Sequence, residues 1–263
     1  MIKLNLARNC LRYLIRAYGI KEIYAPYYSC NTVWNAIKQE NCRIKFYHIR
    51  EDFSPLTIFP KQAFILYINY FGFCDKICKK LAKMYPKLIV DNTQAFYSEP
   101  MGLASFNSLR KFFPVQNGAY LYTEKILKDN FEKDKELFTP CSMQKNYEKF
   151  VENELILNKE HIKYIYPKIE KFMENFDYDE DRKLRLEKYF DYDKKYNKYN
   201  KITIKPTEKE VPYCYPLSTD DIKIINELKD SKTPYLALWG EINKDFYEYG
   251  FLNNTVALPL TDY

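Results

Sequence analysis

The chain has 263 residues, a formal net charge of +6 and no apolar run close to the ~20 residues that a membrane-spanning helix needs. That length can bury a full core as one large domain or two smaller ones. Met1 to Asn5 lead straight into structure without an apolar signal region, and the seven cysteines are an odd number, typical of reduced thiols. We therefore expect a cytoplasmic protein.

Several classes of catalytic and metal site find little support in the sequence. The two histidines, His48 and His161, lie beside no convincing serine or cysteine nucleophile, which argues against a hydrolase of the Ser-His-Asp or Cys-His type. Cys74 and Cys78 are four residues apart with no second ligand pair nearby, so we expect them to pack in the core and expect no metal site. A Walker-type phosphate loop is also missing from the sequence.

The positive charge and the 26 tyrosines would suit a protein that binds single-stranded nucleic acid. The densest basic and aromatic stretch, Lys183 to Lys201, is interrupted by Glu187, Asp191 and Asp193. Because Lys, Tyr, Asn and Ile are frequent throughout the chain, a bias in composition explains the stretch more simply. We interpret it as a solvated helical face and expect no nucleic-acid partner.

The chain order of elements predicts two domains. Residues 1–125 alternate strand and helix patterns as in βαβ units, which predicts an α/β domain with a mostly parallel sheet. Residues 126–263 predict a smaller α+β domain that begins with long helices. Its predicted elements are helical patterns over Tyr147 to Phe176 and Asp181 to Tyr196, strands Pro212 to Leu217 and Tyr235 to Trp239, and helices Asp220 to Leu228 and Ile242 to Tyr249.

Polar or turn residues follow three apolar runs: Pro26 after residues 23–25, Asn69 after residues 64–68, and Asp91 after residues 88–90. Carboxyl ends of parallel strands meet at one edge of a sheet, where ligands bind. Arg8 and Asn9 open a helical pattern, so their backbone amides would form a phosphate site at a helix N-terminus. The sequence therefore predicts a ligand site that combines a sheet edge with a helix start.

Asp91 and Lys111 are the two titratable residues best suited to chemistry at that edge. A buried carboxylate needs a partner to stay ionised, and a protonated pyridine nitrogen would serve, although for Asp91 taken alone the favoured interpretation is a cap on the following turn. Lys111 follows a partial strand pattern and has apolar neighbours and the cation Arg110 beside it, which should lower its pKa. A neutral amine can form a Schiff base, whereas a randomly chosen lysine is an ordinary exposed one.

These residues, with others upstream, resemble the motifs of the DegT/DnrJ/EryC1/StrS sugar aminotransferases, fold-type-I enzymes that use pyridoxal phosphate (PLP). The family carries Asp-x-x-Gln, then a serine and the Schiff-base lysine, then a glycine-rich turn and a strand. The corresponding segments here are Asp91-Asn92-Thr93-Gln94, Ser108 with Lys111, and Gln116-Asn117-Gly118-Ala119 before Tyr120 to Tyr122. Upstream, the similar segments are Ala7 to Leu11, Glu22 to Tyr28, and Asn69-Tyr70-Phe71-Gly72.

The resemblance implies a role for each matching residue. Lys111 would form the Schiff base and Asp91 would pair with the pyridine nitrogen. Gln94 would lie near the ring hydroxyl, and Ser108 with the amides of Arg8 and Asn9 would hold the phosphate. Asn69 matches the first residue of the family's His-x-Tyr-Gly motif. Counting from Pro26, the family's ring-stacking aromatic corresponds to Cys30, so either Tyr28 takes its role or no aromatic is used.

The resemblance also implies the activity. We expect an aminotransferase that moves an amino group from an amino-acid donor to a keto sugar, nucleotide-linked, or to another small polysaccharide precursor. A homodimer with the site near the subunit interface is expected. The chain is short for the family and keeps only Gly118 of the glycine-rich turn, which indicates a divergent member. The alternative is a protein of the same fold that is non-catalytic, or that performs decarboxylation or elimination.

Overall fold

The computed structural model describes residues 1–140, 147–230, 236–237 and 243–261. Within these ranges the strands form two sheets. The strands are β1 (Ile2–Leu4), β2 (Glu22–Pro26), β3 (Arg43–Tyr47), β4 (Ile65–Ile68), β5 (Leu88–Asn92), β6 (Ala104–Asn107), β7 (Ala119–Thr123), β8 (Cys214–Ser218), β9 (Leu236–Ala237) and β10 (Thr255–Pro259).

Helices connect these strands, together with short 3-10 turns at Tyr70–Gly72, Leu109–Lys111 and Asn197–Tyr199. In the part of the chain that the structure describes, no helix is long and apolar enough to cross a membrane. The helices are α1 (Ala7–Tyr18), α2 (Asn31–Gln39), α3 (Asp75–Met84), α4 (Tyr147–Asn158), α5 (Pro167–Glu174), α6 (Tyr178–Tyr196), α7 (Ile222–Asp230) and α8 (Tyr249–Leu252).

The larger sheet has the strand order β1-β7-β6-β5-β4-β2-β3, and its five strands from β6 to β3 are parallel. Strand β7 runs antiparallel to both β6 and β1. Asp91 pairs with Ile68 of β4 on one side and with Phe106 of β6 on the other. The predicted α/β class is therefore confirmed, and the three predicted strand ends share one edge of the sheet.

Both faces of the large sheet are buried, because alternate residues of each strand point to opposite sides. Leu66 and Ile89 pack into a cluster that includes the apolar stripe of α1. Tyr67 and Val90, their neighbours along the chain, pack into a second cluster that includes residues of α3, α6, β8 and β10. The small sheet, with strand order β8-β10-β9, thus shares a core with the large one.

The predicted helical pattern from Tyr147 to Phe176 is interrupted in the structure by an extended stretch over residues 159–166. Tyr164 forms a bridge with Leu4 of β1, and the backbone N–H of Ile165 donates to Lys3 O over 3.1 Å. Strand β1 lies at the edge of the sheet, and edge strands offer unpaired backbone groups. Pairing with that edge therefore overrides helix propensity here, and the division of the chain at residue 125 stays a prediction.

The predicted helix from Ile242 to Tyr249 is wrong for residues 243–248, and Tyr249 is the first residue of α8. Residues 243–248 form successive turns, in which Phe246 N donates to Asn243 O and Tyr249 N donates to Phe246 O. The Asn243 side chain accepts from the backbone N–H of Asp245, a local bond that competes with a helix. Of the predicted strand Tyr235 to Trp239, residues 236–237 form β9, and Leu238 and Trp239 lie outside the described residues.

Gly72 occupies a position where no other residue fits. Its φ is +88°, and a Cβ there would lie 2.6 Å from the carbonyl oxygen of Gln94 and 2.9 Å from that of Val211. We expect Gly72→Ala to lower the free energy of unfolding by roughly 2–4 kcal/mol, since backbone must shift on both sides. Urea unfolding measures this change, with Gly250→Ala as the matched control because a Cβ at Gly250 meets nothing within 4 Å. Equal losses in the two variants would contradict the expectation.

Candidate active site

Asp91 lies at the carboxyl edge of the large sheet, as the fourth residue of β5, and is 2% exposed. The backbone N–H of Thr93 donates to Asp91 Oδ1 over 2.8 Å, so the residue does cap the following turn. Burial raises the pKa of the Asp91 carboxyl, while the charge of Lys111 and the hydrogen bonds from Thr93 lower it in part. Since burial is the larger effect, the carboxylate would gain from a further cation.

Lys111 is the last residue of the 3-10 turn that follows β6. Strand β6 is the neighbour of β5, which carries Asp91. Lys111 Nζ donates to Thr93 Oγ1 over 3.2 Å and lies 5.9 Å from the centre of the Tyr213 ring. Burial lowers the pKa of Lys111, and Arg110 lowers it further, while Asp91 and Cys30 raise it. The amine is thus shifted towards its neutral, nucleophilic form.

Contacts between the Leu109–Lys111 turn and Gly118 fix the backbone around Lys111. The backbone N–H of Leu109 donates to Gly118 O over 2.9 Å. Gly118 has a φ of +104°, and a Cβ there would lie 2.8 Å from Leu109 Cδ1. Gly118 is the residue that the sequence retains from the family's glycine-rich turn, and here it allows the close approach that seats the lysine turn.

A pocket at this edge encloses about 720 Å³ of space, including its open mouth. Four of the eight predicted site residues line it together: Arg8, Asp91, Ser108 and Lys111. Cys30, the position that replaces the family's aromatic, also lines it. The structure therefore brings residues from four separate segments of the chain to one cavity.

The N-terminus of α1 faces this pocket, because Leu6, Ala7 and Arg8 all line it. Leu6 is the N-cap residue and provides no side-chain cap. The backbone N–H of Asn9 and of Cys10 each donate to Leu6 O over 3.0 Å. The first amides of the helix, those of Ala7 and Arg8, have no carbonyl within the helix to bond, so this end favours an anion.

Three charged side chains meet beside that helix end. Arg110 donates to both carboxylate oxygens of Glu154, with a distance of 3.2 Å from Nη2 to Oε2. Arg8 Nη2 lies 3.6 Å from the same Oε2, and Arg8 Nη1 donates to the side chain of Asn158. The pocket therefore contains two guanidinium groups that share one carboxylate.

Two of the predicted residues, Asn9 and Asn69, are fully buried outside the pocket lining. The Asn9 side chain donates to Asn5 Oδ1 and to the carbonyl oxygen of His161. The Asn69 side chain donates to three oxygens at 2.8–3.2 Å and accepts from Cys74 N. Both side chains therefore bond to other buried groups behind the site. The backbone N–H of Asn9, predicted to hold the phosphate, instead donates to Leu6 O within the first turn of α1.

The other two, Gln94 and Tyr28, are likewise buried away from the pocket lining. Gln94 Oε1 accepts from the backbone N–H of Phe71 over 2.8 Å. Tyr28 stacks on Tyr70 with ring centres 5.6 Å apart, inside the core cluster that joins the two sheets. Sequence motifs place these residues next to the site, but their side chains turn into the interior.

Sequence reasoning missed Glu154 and Tyr213 as site residues. Glu154 lies 44 residues after Arg110 on a charge-rich helix, where one acidic residue looks like any other. Tyr213 precedes β8, and its ring centre lies 5.9 Å from Lys111 Nζ. Its backbone N–H donates to Phe71 O over 2.8 Å. A sequence pattern gives no signal for either, because both contacts depend on how the second part of the chain packs on the first.

The sequence matches no protein-family model and no curated protein. Solved structures do match over 98% of this chain. They include a DegT DnrJ EryC1 StrS aminotransferase from Brucella abortus (TM-score 0.61, 11% identity, 80% of that chain covered), the aminotransferase TlmJ from Streptoalloteichus hindustanus (0.61, 13%, 79%) and NtdA from Bacillus subtilis with bound cofactor PMP (0.62, 12%, 68%).

Identities of 11–13% leave the shared fold as the finding. The likeness spans both sheets, since it covers nearly the whole chain. The resemblance seen in the sequence motifs is therefore confirmed at the level of the fold, and this chain has the fold of the DegT/DnrJ/EryC1/StrS aminotransferases.

Proposed function

We propose that this protein is a PLP-dependent aminotransferase. The observation that carries the proposal is the meeting of Asp91 and Lys111 in one pocket at the carboxyl edge of a parallel sheet, each with its pKa shifted towards the neutral form. The structural neighbours support it, since two of them are aminotransferases and NtdA holds PMP, the amine form of the cofactor. Perturbed titratable groups in a cleft are typical of functional sites.

Asp91 fits the ring nitrogen of such a cofactor. The carboxyl is buried and short of positive charge, so a protonated pyridine nitrogen would stabilise its ionised form. When bound, PLP supplies an electron sink for the negative charge that develops on the substrate carbon. Asp91 would keep the ring protonated and so maintain that sink.

Lys111 fits the residue that bonds to the cofactor aldehyde through a Schiff base. Its lowered pKa makes the neutral amine available, and Thr93 Oγ1 accepts its hydrogen bond and so holds the side chain in the pocket. Lys111 Nζ would also be placed to hold and return a proton at the substrate carbon. One residue thus serves first as nucleophile and then as general base.

The remaining predicted residues fall into two groups. Ser108 and the backbone amide of Arg8 fit the cofactor phosphate, because they line the pocket beside a helix N-terminus, and the amide of Ala7, which was not predicted, takes the place expected for that of Asn9. We assign Asn9, Asn69, Gln94 and Tyr28 to the support of these groups. Their buried hydrogen bonds and ring contacts hold the backbone behind the pocket.

We also propose the finer features that the sequence resemblance implies. The keto substrate is a sugar, nucleotide-linked, or another small polysaccharide precursor, and the amino donor is an amino acid. The protein works as a homodimer in the cytoplasm. The free thiols of the six described cysteines support that compartment.

Removing the Lys111 amine should abolish covalent attachment of PLP. We expect the wild-type protein with added PLP to show the visible absorption band of lysine-bound cofactor, and Lys111→Ala to lack it, because the described residues that line the pocket include no other lysine. Lys79→Ala, at an exposed position on α3, is the matched control and should keep the band. A band that persists in Lys111→Ala would contradict the assignment.

Removing the Asp91 carboxylate should slow amino transfer more than it weakens cofactor attachment. Incubation of the loaded wild type with glutamate should convert the cofactor spectrum to that of the amine form. In Asp91→Asn we expect this conversion to slow by roughly a hundredfold or more, since the ring nitrogen loses its anionic partner. If none of the amino donors tested converts the cofactor spectrum of the wild type, the non-transaminating alternative would be favoured.

The pH dependence of attachment should report the lowered pKa of Lys111. The rate at which PLP attaches should rise with pH through a midpoint below the ordinary lysine value of 10.5, because only the neutral amine reacts. Asp91 is the group that most strongly raises this pKa, so the midpoint should move lower still in Asp91→Asn. Stopped-flow absorbance across pH measures both midpoints, and a midpoint at the ordinary value would contradict the buried environment of Lys111.

A further inference from the structure

The carboxylate of Glu154 is bound by Arg8 and Arg110, whose guanidinium groups could otherwise bind an anion from solution. Arg110 donates to both of its oxygens, and Arg8 lies 3.6 Å from one of them. The Glu154 side chain is only 23% exposed and comes from α4, far along the chain from both arginines. Fork-shaped pairing of this kind is the geometry in which guanidinium groups bind carboxylates and phosphates alike.

This carboxylate lines the same pocket as the predicted phosphate site. Glu154, Ser108 and Lys111 line the same pocket, together with Ala7 and Arg8 at the start of α1. All the groups proposed to hold the cofactor phosphate therefore lie on the cavity into which Glu154 extends.

The two arginines need an anion between them. Burial and the neighbouring Arg110 lower the pKa of Arg8, and the charge of Glu154 opposes this. Like charges held close in a partly buried site repel, so removal of the carboxylate leaves a strong demand for another anion. A phosphate monoester carries about two negative charges and three acceptor oxygens, more than a carboxylate offers.

We propose that Glu154 is an internal stand-in for the cofactor phosphate, and that the phosphate displaces its carboxylate from Arg8 and Arg110 when the cofactor binds. The inference rests on the proposed function and assigns a regulatory role to α4. Occupancy of the pocket by Glu154 keeps the arginines paired in the empty protein and weakens the binding of phosphate-bearing ligands.

The test compares Glu154→Gln with wild type, with Glu152→Gln as the matched control. Glu152 is exposed on the same helix, so its variant removes one negative charge without touching the pocket lining. We expect Glu154→Gln to bind inorganic phosphate about five- to twentyfold more tightly than wild type in calorimetric titration, and Glu152→Gln to match wild type. Circular dichroism checks that each variant is folded.

Two further ligands separate this inference from the proposed function. PLP should show the same gain in affinity for Glu154→Gln as inorganic phosphate does, whereas pyridoxal, which lacks the phosphate, should show none. A protein that binds phosphate more tightly in Glu154→Gln but never develops the absorption band of bound PLP would overturn the proposed function and leave the anion site standing. The reverse result, a normal band with no gain for phosphate, would overturn the role of Glu154.

Glu154→Asp provides a second variant should the glutamine variant not fold. It keeps the charge but withdraws it by one methylene, so its pairing with the arginines weakens and phosphate should again bind more tightly than to wild type. Phosphate affinity in Glu154→Asp that is unchanged or weaker would overturn the proposal, as would an equal gain for pyridoxal and PLP in Glu154→Gln.

Discussion

The candidate site depends on one constraint: Asp91 and Lys111, of opposite charge, are buried at the same edge of a sheet whose two faces are both covered. Burial acts against the charge of each, and the attraction between them offsets only part of that cost. A buried pair of this kind is weak support for stability. Its arrangement suits a pocket that acquires a cationic ring and a covalent bond, because the ring would stabilise the ionised carboxylate that burial disfavours and the bond would use the neutral amine that burial favours.

A second buried ion pair holds the backbone that carries Lys111. Arg185 of α6 is 1% exposed, donates to Asp181 over 2.7 Å and donates to the carbonyl oxygen of Phe112, the residue after Lys111, over 2.6 Å. Its guanidinium also lies 4.7 Å from the Phe112 ring centre. Helix α6 reads in sequence as a solvated, charge-rich face, yet its buried side supports the lysine turn. The position of Lys111 is therefore set by contacts both from the large sheet and from α6.

The sequence was sufficient for the parts of the site that local patterns determine. Apolar runs located β2, β4 and β5, and their parallel pairing brought Asp91 to the same edge as the turn that carries Lys111. These patterns did not predict the direction in which each side chain points. Asn69 and Gln94 follow their strands just as Asp91 does, but backbone donors at Cys74 and Phe71 turn their side chains inward. Motif position predicts the neighbourhood of a residue, while the direction of its side chain depends on which buried backbone groups need a partner.

The contacts that the second half of the chain makes with the site escaped prediction for a related reason, although its helices α6 and α7 and its strand β8 lie close to their predicted positions. Its helices are charge-rich, so sequence periodicity does not show which charged residues are buried, and contacts such as that of Glu154 with Arg110 link distant segments. The charges lining the pocket nonetheless follow a simple balance. Three cationic side chains, Arg8, Arg110 and Lys111, face the carboxylates of Asp91 and Glu154. A free phosphate would raise the negative charge to about four, against at most three positive charges, if Glu154 stayed. The electrostatics of the pocket thus accommodate either the carboxylate of Glu154 or a phosphate, and the departure of one makes room for the other.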